Sequence, residues 1–285
     1  VDLGRNISLD EASVACRSKF GRGLICYNPK KPTGKYHFKL YVISCATTWI
    51  AVNYRLHCDT DMLTRLDGVV EPAQATELHE ETADTLNIKT NVSETRRTVL
   101  EVVRPLYGTR RILNMDNYYT SVQLLEAMAI KGLYGRGTIK TGSLHFPSHV
   151  ILPDKTKRNR GDTAWGVEEK RKILAVSWCD GSIVNMVSNA DASEMGSVQR
   201  TVKASIQQIP APVCVGEYNQ YMQGVDRLDQ MRSRFSISDG HSFKKWHKKL
   251  AMALIDIARF NAFMTRKKVV GTRDPIGTES RDPHR

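Results

Sequence analysis

The stretch YNQYMQGVDRLDQM at residues 218–231 sets two acidic residues, Asp226 and Asp229, three positions apart. Residues with this spacing lie on the same face of a helix, so both carboxylates would point in one direction. Paired carboxylates that face a cleft can hold a hard divalent cation such as Mg²⁺. An isolated pair is more often a solvated helix face, in which the acids pair with Arg227 or Arg232.

A third acid, Asp116, lies in the stretch NMDNYYTS at residues 114–121. The pattern predicts a short strand over residues 111–115 that delivers Asp116 at its end. The spacing of Thr120 and Gln123 is typical of a capping box, which predicts that a helix starts there. Taken alone, Asp116 is better explained as a residue that caps a turn or that helix.

The composition favours a nucleic-acid partner. The chain has 285 residues, a formal net charge of +12 and a pI near 9.5, and such a surplus indicates either a polyanionic partner or a solvated basic surface. No run of about 18 apolar residues is present, so no membrane span is predicted. The six cysteines include no Cys-x-x-Cys pair, which argues against a zinc site and favours reduced thiols in the cytosol or nucleus.

The order of predicted elements favours an α/β fold. Residues 37–45 and 47–57 predict an antiparallel hairpin, and Ser93 is predicted to cap a helix that runs to residue 103. The segment 141–214 is interpreted as a small β insertion with a hairpin turned at residues 180–181. A long helix is predicted over residues 243–264, with an apolar stripe of Phe243, Trp246, Leu250, Leu254, Ile257 and Ala258.

These motifs together resemble the piggyBac family of transposases. The resemblance covers residues 7–265 and rests on four stretches, residues 7–11, 32–40, 115–121 and 218–231. It implies an α/β, ribonuclease-H-like core with a small β insertion and flanking helices that bind DNA and form a homodimer. The corresponding boundaries are residues 1–32 for an entry segment, 33–140 and 215–235 for the core, 141–214 for the insertion and 236–285 for a basic helical region.

The family's chemistry requires three acids that hold two divalent metal ions, here Mg²⁺. The resemblance assigns Asp116, Asp226 and Asp229 to catalysis and metal binding, and it places the first acid of the family at the end of the predicted strand 37–45. That position falls on Cys45, and no Asp or Glu occurs between Glu11 and Asp59. A thiol is a poor ligand for Mg²⁺.

The leading hypothesis is therefore a piggyBac-derived, DNA-binding protein that has lost transposition. Three alternatives stay open. The chain could be an active metal-dependent transposase or nuclease with an unusual first ligand, or it could be a decaying gene copy. In the third alternative, a re-routed strand end brings Asp59 or Asp61 into the site as the missing acid. Cys45 by itself is typical of a small buried residue at a strand end.

Two basic patches are candidates for binding DNA phosphates. One patch, in the predicted insertion, comprises Lys155, Lys157, Arg158 and Arg160, and the other, on the long helix, comprises Lys244, Lys245, Lys248 and Lys249. The alternative for the second patch is a solvated face of a core helix. DNA binding would place the protein in the nucleus, with the cytoplasm as the alternative.

Overall fold

A nine-stranded mixed sheet forms the centre of the molecule in a computed structural model, which describes residues 3–31, 34–58, 93–153, 158–202, 204–239, 243 and 245–270. Its strands are β1 (Asn6–Ala15), β2 (Ile25–Tyr27), β3 (Tyr36–Cys45), β4 (Ala51–Leu56), β5 (Ile112–Met115), β6 (Tyr134–Thr138), β7 (Thr163–Glu168), β8 (Ile173–Cys179) and β9 (Ile183–Ser188). Two further strands, β10 (Met195–Val202) and β11 (Ser205–Pro212), form a separate hairpin.

Five helices accompany the strands in the described part of the chain. They are α1 (Glu94–Val103), α2 (Val122–Ile130), α3 (Val213–Tyr221), α4 (Gly224–Arg234) and α5 (Trp246–Val270), and short 3-10 turns lie between some of the elements. The strand order in the sheet is β2-β3-β1-β5-β6-β9-β8-β7, and β4 pairs with the same edge of β3 as β2 does. Strands β1, β5 and β6 are parallel to one another, whereas β3 runs antiparallel to β1.

The central strand β1 separates two hydrophobic layers. Ile7 and Leu9 point into a core beneath α1 and α2, while Ala12 and Val14 point into a second core beneath α4 and α5. Successive side chains of a strand point to opposite faces of its sheet. The even-numbered residues of β1 therefore face α4 and α5, and the odd-numbered residues face α1 and α2.

Most of the predicted elements are confirmed, including the α/β class. The hairpin of β3 and β4 forms, and Ser93 caps α1, with its hydroxyl accepting a hydrogen bond from the amide of Arg96. The hairpin at residues 180–181 also forms, as β8 and β9. The strands β7, β8 and β9 of the predicted insertion do not form a separate sheet, however. They extend the main sheet, because β9 pairs with β6.

Three local predictions are wrong. The capping box fails, because Ser121 is the N-cap of α2 and Thr120 instead donates to the carbonyl of Asp116 at 2.7 Å. The helix expected at residues 217–231 is two helices, α3 and α4, separated at residues 222–223. Ala258, placed in the apolar stripe of the long helix, is exposed, and Ala253 and Phe260 are buried in its place.

No described helix has the length and apolar character needed to cross a membrane.

Candidate active site

Two acids occupy matching positions on adjacent parallel strands. In the register of β1 and β5, Leu9 pairs with Met115, and both side chains lie in the core beneath α1 and α2. Asp10 and Asp116 follow these two residues directly in sequence. Neighbouring strands lie about 4.8 Å apart, so the register places the two acids side by side.

A third acid reaches this place from α4. The backbone at the start of α4 is anchored to β1 by Ser8, whose hydroxyl donates to the carbonyl of Tyr221 at 2.9 Å and accepts from the amide of Gly224 at 3.1 Å. Ser8 precedes Asp10 by two residues, and Gly224 precedes Asp226 by two residues. One buried hydroxyl therefore fixes the helix that carries Asp226 against the strand that carries Asp10.

Gly224 lies where α4 approaches β1 and β3 so closely that there is no room for a side chain. A Cβ added to Gly224 would lie 2.2 Å from the hydroxyl of Ser8, 2.9 Å from that of Ser44 and 3.1 Å from the Cα of Ala46. These separations are shorter than van der Waals contact, so a larger residue would push α4 away from the sheet. The break between α3 and α4 thus lies where the chain must touch β1.

Asp10 lies in the electrostatic field of the other two carboxylates. Burial raises the pKa of Asp10, a hydrogen bond from the amide of Glu11 opposes this, and the carboxylates of Glu11, Asp226 and Asp116 raise the pKa further, to about 7. The pKa of Asp116 is also raised, chiefly by burial. A shared region of negative potential of this kind favours the binding of a cation.

The loop after β5 fixes the side chain of Asp116. Its Oδ1 atom accepts a hydrogen bond from the amide of Tyr118 at 3.0 Å. Its main-chain carbonyl accepts one from the hydroxyl of Thr120, and a Cβ on Gly137 of the neighbouring strand would lie 2.2 Å from that hydroxyl oxygen. The backbone around Asp116 is therefore held by packing against β6 as well as by hydrogen bonds.

Asp229, predicted to be a metal ligand, is engaged elsewhere. Its Oδ1 atom accepts from Nη2 of Arg232 at 2.7 Å and from Nε at 3.0 Å. Arg232 also donates from Nη2 to the carbonyl of Ser13 at 3.0 Å, further along β1 than Asp10. Asp229 thus serves as the partner of a buried guanidinium in this structure.

Cys45, predicted at the first acid position, does not lie with the other predicted site residues. It pairs with Ile7 and is fully buried in the core beneath α1 and α2. Asp10 pairs with Val42, three residues along the strand, or about 10 Å. The thiol therefore lies on the opposite face of the sheet from the side chain of Asp10 and from α4.

The thiol of Cys45 has local partners of its own. Its Sγ atom lies 3.3 Å from Oγ1 of Thr47. Burial opposes ionisation, but hydrogen bonds from Thr47 and Thr48 outweigh this effect and lower the pKa of Cys45 to about 7. These contacts tie Cys45 to the turn after β3 and leave it no role between Asp116 and Asp226.

Asp10 is the site residue that reasoning from the sequence misses. It lies within the motif at residues 7–11, but the family resemblance identifies that motif as an entry strand and places the first acid on the strand that becomes β3. A signal is nevertheless present, because Asp10 lies between Ile7 and Leu9 on one side and Ala12 and Val14 on the other, in a strand with buried apolar residues on both faces. A charged residue in such a strand indicates a functional site.

The carboxylates of Asp10, Asp116 and Asp226 are ligands of the kind that a hard cation prefers, but they do not surround a common point. Carboxylate oxygens are the ligands that Mg²⁺ prefers, and a bound cation would offset the burial and the neighbouring carboxylates that raise the pKa of Asp10. Within the described ranges, no three His, Cys, Asp or Glu side chains are close enough together to hold a metal ion. Asp226 is exposed and has no hydrogen-bond or ion-pair partner among the described residues, so its side chain can change rotamer.

The predicted basic patches are only partly described. Lys155, Lys157 and Lys244 lie outside the described residues. Arg158, Lys245 and Lys248 are exposed. Two predicted contacts are engaged within the protein: Arg160 pairs with Asp180 at 3.0 Å, and the ammonium of Lys249 pairs with Asp239 at 2.8 Å and also donates to the carbonyl of Ser238.

Comparison with known proteins identifies the family to which the chain is similar. Residues 1–263 match a protein family described as Transposase IS4. Two human relatives, piggyBac transposable element-derived proteins 2 and 3, are each 26% identical to the chain, over 155 and 159 residues respectively. Each match covers 53% of this chain and 26% of the relative, so the aligned part is about a quarter of the length of these curated relatives.

A solved structure has the same fold. The piggyBac transposase, in a cryo-EM synaptic complex with hairpin DNA, aligns with a TM-score of 0.72 and 21% identity. The alignment covers 97% of this chain and 50% of the other. The predicted ribonuclease-H-like type of fold is thereby confirmed.

Proposed function

Since the chain belongs to the transposase IS4 family, we propose that it cleaves DNA strands and transfers their ends, with Asp10, Asp116 and Asp226 as its three acids. The observation that carries this proposal is geometric: the register of β1 and β5 sets Asp10 beside Asp116, and the contact of Ser8 with Gly224 holds the start of α4, which carries Asp226, against β1. The set replaces the one predicted from sequence, in which Cys45 stood at the first position and Asp229 was a fourth member.

The three acids would hold Mg²⁺, which supplies activation of a water or a 3′-hydroxyl and stabilisation of the leaving oxygen. Asp116 is oriented for this role by the amide of Tyr118. Asp10 is partly protonated near neutral pH, because its pKa is about 7. Binding of a cation would release that proton, so the affinity for Mg²⁺ should rise as the pH increases through 7.

DNA is the proposed partner, and exposed cations supply its contacts. Lys140 is exposed and close enough to Asp116 to offset part of the rise that burial causes in the pKa of Asp116, so it lies where a phosphate would approach that acid. Lys245 and Lys248 are exposed at the start of α5. These three residues can neutralise phosphates without reading sequence. A homodimer and a nuclear location, the latter testable by imaging a fluorescent fusion, belong to the same proposal.

A second candidate function is DNA binding without strand cleavage. It is favoured by the spread of the carboxylates, since no metal-binding group of three forms within the described residues. Cys45 does not favour this candidate, because its side chain faces away from the site. The two candidates differ in a single measurable property, which is metal-dependent turnover.

The deciding experiment measures cleavage and strand transfer on duplex DNA with Mg²⁺ or Mn²⁺. The unmodified chain is compared with Asp10→Asn, Asp116→Asn and Asp226→Asn, and with Glu169→Gln as a control at an exposed acid in the turn after β7. We expect activity in the unmodified chain and the control and none in the three variants. Binding without cleavage by the unmodified chain would establish the second candidate instead.

The role of α5 in DNA binding is tested by salt dependence. The double variant Lys245→Ala and Lys248→Ala should weaken duplex binding and reduce the slope of log affinity against log salt by about 0.9 for each phosphate that is no longer neutralised. Lys170→Ala, at an exposed position in the turn after β7, is the matched control. An unchanged slope in the double variant would exclude this end of α5 from the DNA-binding surface.

A further inference from the structure

An exposed aromatic residue lies beside Asp116. The ring of Tyr118 is 47% exposed, although the amide of the same residue donates to Oδ1 of Asp116 at 3.0 Å. Tyr119, which follows it, is buried, and the two rings meet edge to face with centroids 4.9 Å apart at 89°. Tyr118 thus packs against a buried ring and remains partly exposed to solvent.

A lysine lies over the same ring. The ammonium of Lys39 lies 4.8 Å from the centroid of Tyr118 and 4.8 Å from that of Tyr41. It also pairs with Oε1 of Glu11 at 2.8 Å, a residue of β1 that faces the opposite side of the sheet from Asp10. The cation is therefore held between two aromatic rings by interactions that are strongest when the ammonium is partly removed from water.

This arrangement is unusual for a solvent-exposed tyrosine. Exposed aromatic side chains generally lose rotamer freedom when they bind a ligand, and this loss reduces affinity. The contacts to Tyr119, Lys39 and Asp116 restrict the position of Tyr118 before any ligand arrives. A ring that is fixed in this way, exposed and adjacent to a phosphate-binding site is suited to stack on a nucleic-acid base.

We propose that Tyr118 is a stacking platform for an unpaired DNA base beside the phosphodiester bound at the acids. The proposal rests on the proposed function and adds to it the kind of DNA that the site takes. Bases within an intact duplex are already stacked on their neighbours, so a single protein ring gains little from them. An unpaired or flipped base has a free face, and stacking on an aromatic side chain then adds to the affinity.

The test is a binding titration in EDTA, so that no cleavage is required. The probe is a single-stranded oligonucleotide that contains 2-aminopurine, whose fluorescence falls when it stacks. Tyr118→Ala should weaken binding about tenfold and abolish the fluorescence change, because stacking on one aromatic side chain has about that effect. Tyr118→Phe, which keeps the ring, should behave like the unmodified protein.

Two further variants control for folding and for general aromatic exposure. Tyr118→Leu keeps an apolar side chain over Tyr119 and should lose the fluorescence change while its melting temperature stays close to that of the unmodified protein. Tyr54→Ala removes a ring that is 42% exposed on β4 and should have no effect. Equal binding by Tyr118→Ala and Tyr54→Ala would overturn the platform, as would an equal loss on uninterrupted duplex.

The outcome separates the platform from the proposed function. If the unmodified chain never cleaves DNA but its fluorescence change depends on Tyr118, the platform stands and the catalytic proposal fails. If the chain cleaves DNA and Tyr118→Ala affects neither the fluorescence change nor cleavage beside an unpaired base, the platform fails alone.

Discussion

Strands β1 and β3 pair with each other, but Asp10 of β1 and Cys45 of β3 lie on opposite faces of the sheet. Asp10 of β1 points towards α4, lies beside Asp116 and has a pKa raised to about 7. Cys45 of β3 points towards α1 and α2, is fully buried and bonds to its own turn. Both residues follow apolar residues in paired strands of one sheet, yet only Asp10 is positioned to act with Asp226.

The difference between the two positions is one of face and register. Along a strand, an odd number of steps reverses the face, and each step moves a side chain by about 3.3 Å. Ile7, the partner of Cys45, is three steps from Asp10. The two side chains are therefore separated both by the thickness of the sheet and by about 10 Å along it.

Catalytic rate should distinguish the two positions most strongly. Asp10→Asn should lower the rate of metal-dependent cleavage at least about 100-fold, equivalent to about 2.7 kcal/mol, because a metal ligand loses its charge. Cys45→Ala should leave the rate within about threefold, since its side chain faces the other core. Initial rates on the same duplex substrate measure both variants, and a larger loss from Cys45→Ala would reverse the assignment.

A substitution that restores the acid expected from sequence should harm the protein. Cys45→Asp buries a carboxylate in an apolar core and should reduce the free energy of unfolding by about 3 kcal/mol. Urea denaturation measures this change, with Cys45→Ala as the control for loss of the thiol. A gain of cleavage activity in Cys45→Asp would show that the face assigned to this residue is wrong.

The junction between β1 and α4 should be intolerant of added volume. Gly224→Ala places a methyl group 2.2 Å from the hydroxyl of Ser8 and should cost about 2–3 kcal/mol of stability, with loss of cleavage as Asp226 moves away. The matched control is Gly216→Ala in α3, where the nearest atom to the new Cβ would be Cγ1 of Val198 at 3.8 Å. The control should be neutral or slightly stabilising; equal stability of both variants would disprove the close approach.

The raised pKa of Asp10 predicts a pH dependence of stability. The pKa is about 7 in the folded protein against an ordinary value of 3.8, so the folded state binds this proton more tightly than the unfolded state. The resulting stabilisation is complete below about pH 4 and is lost as the pH rises through 7. Between pH 5 and pH 8 the free energy of unfolding should fall by about 2 kcal/mol more in the unmodified protein than in Asp10→Asn.

Added Mg²⁺ extends the same measurement. If the cation binds at Asp10, the stability lost at pH 8 should be recovered on its addition in the unmodified protein and not in Asp10→Asn. Urea denaturation at both pH values, with and without the cation, measures the four conditions for each protein. Parallel pH curves for the two proteins would rule out Asp10 as the group that titrates.

A weaker effect is expected at the acid that pairs with Arg232. Asp229→Asn should change the affinity for Mg²⁺ or Mn²⁺ less than about fivefold and lower stability by about 1 kcal/mol, because it weakens a pair whose guanidinium is buried. Calorimetric titration compares this variant with Asp226→Asn, which should abolish binding. Similar losses in the two variants would return Asp229 to the metal site.

The family resemblance proposed Asp116 and Asp226 as site residues. Local sequence patterns were sufficient to predict the α/β class, the hairpins of β3–β4 and β8–β9 and the cap at Ser93. These features follow from the order of apolar residues and turn formers, which act on their neighbours along the chain. Three-dimensional packing was needed to show that Asp10 lies with these acids, that Cys45 turns away and that Asp229 pairs with Arg232. Strand register, sheet face and the contact of Ser8 with Gly224 depend on residues far apart in sequence, and no local pattern records them.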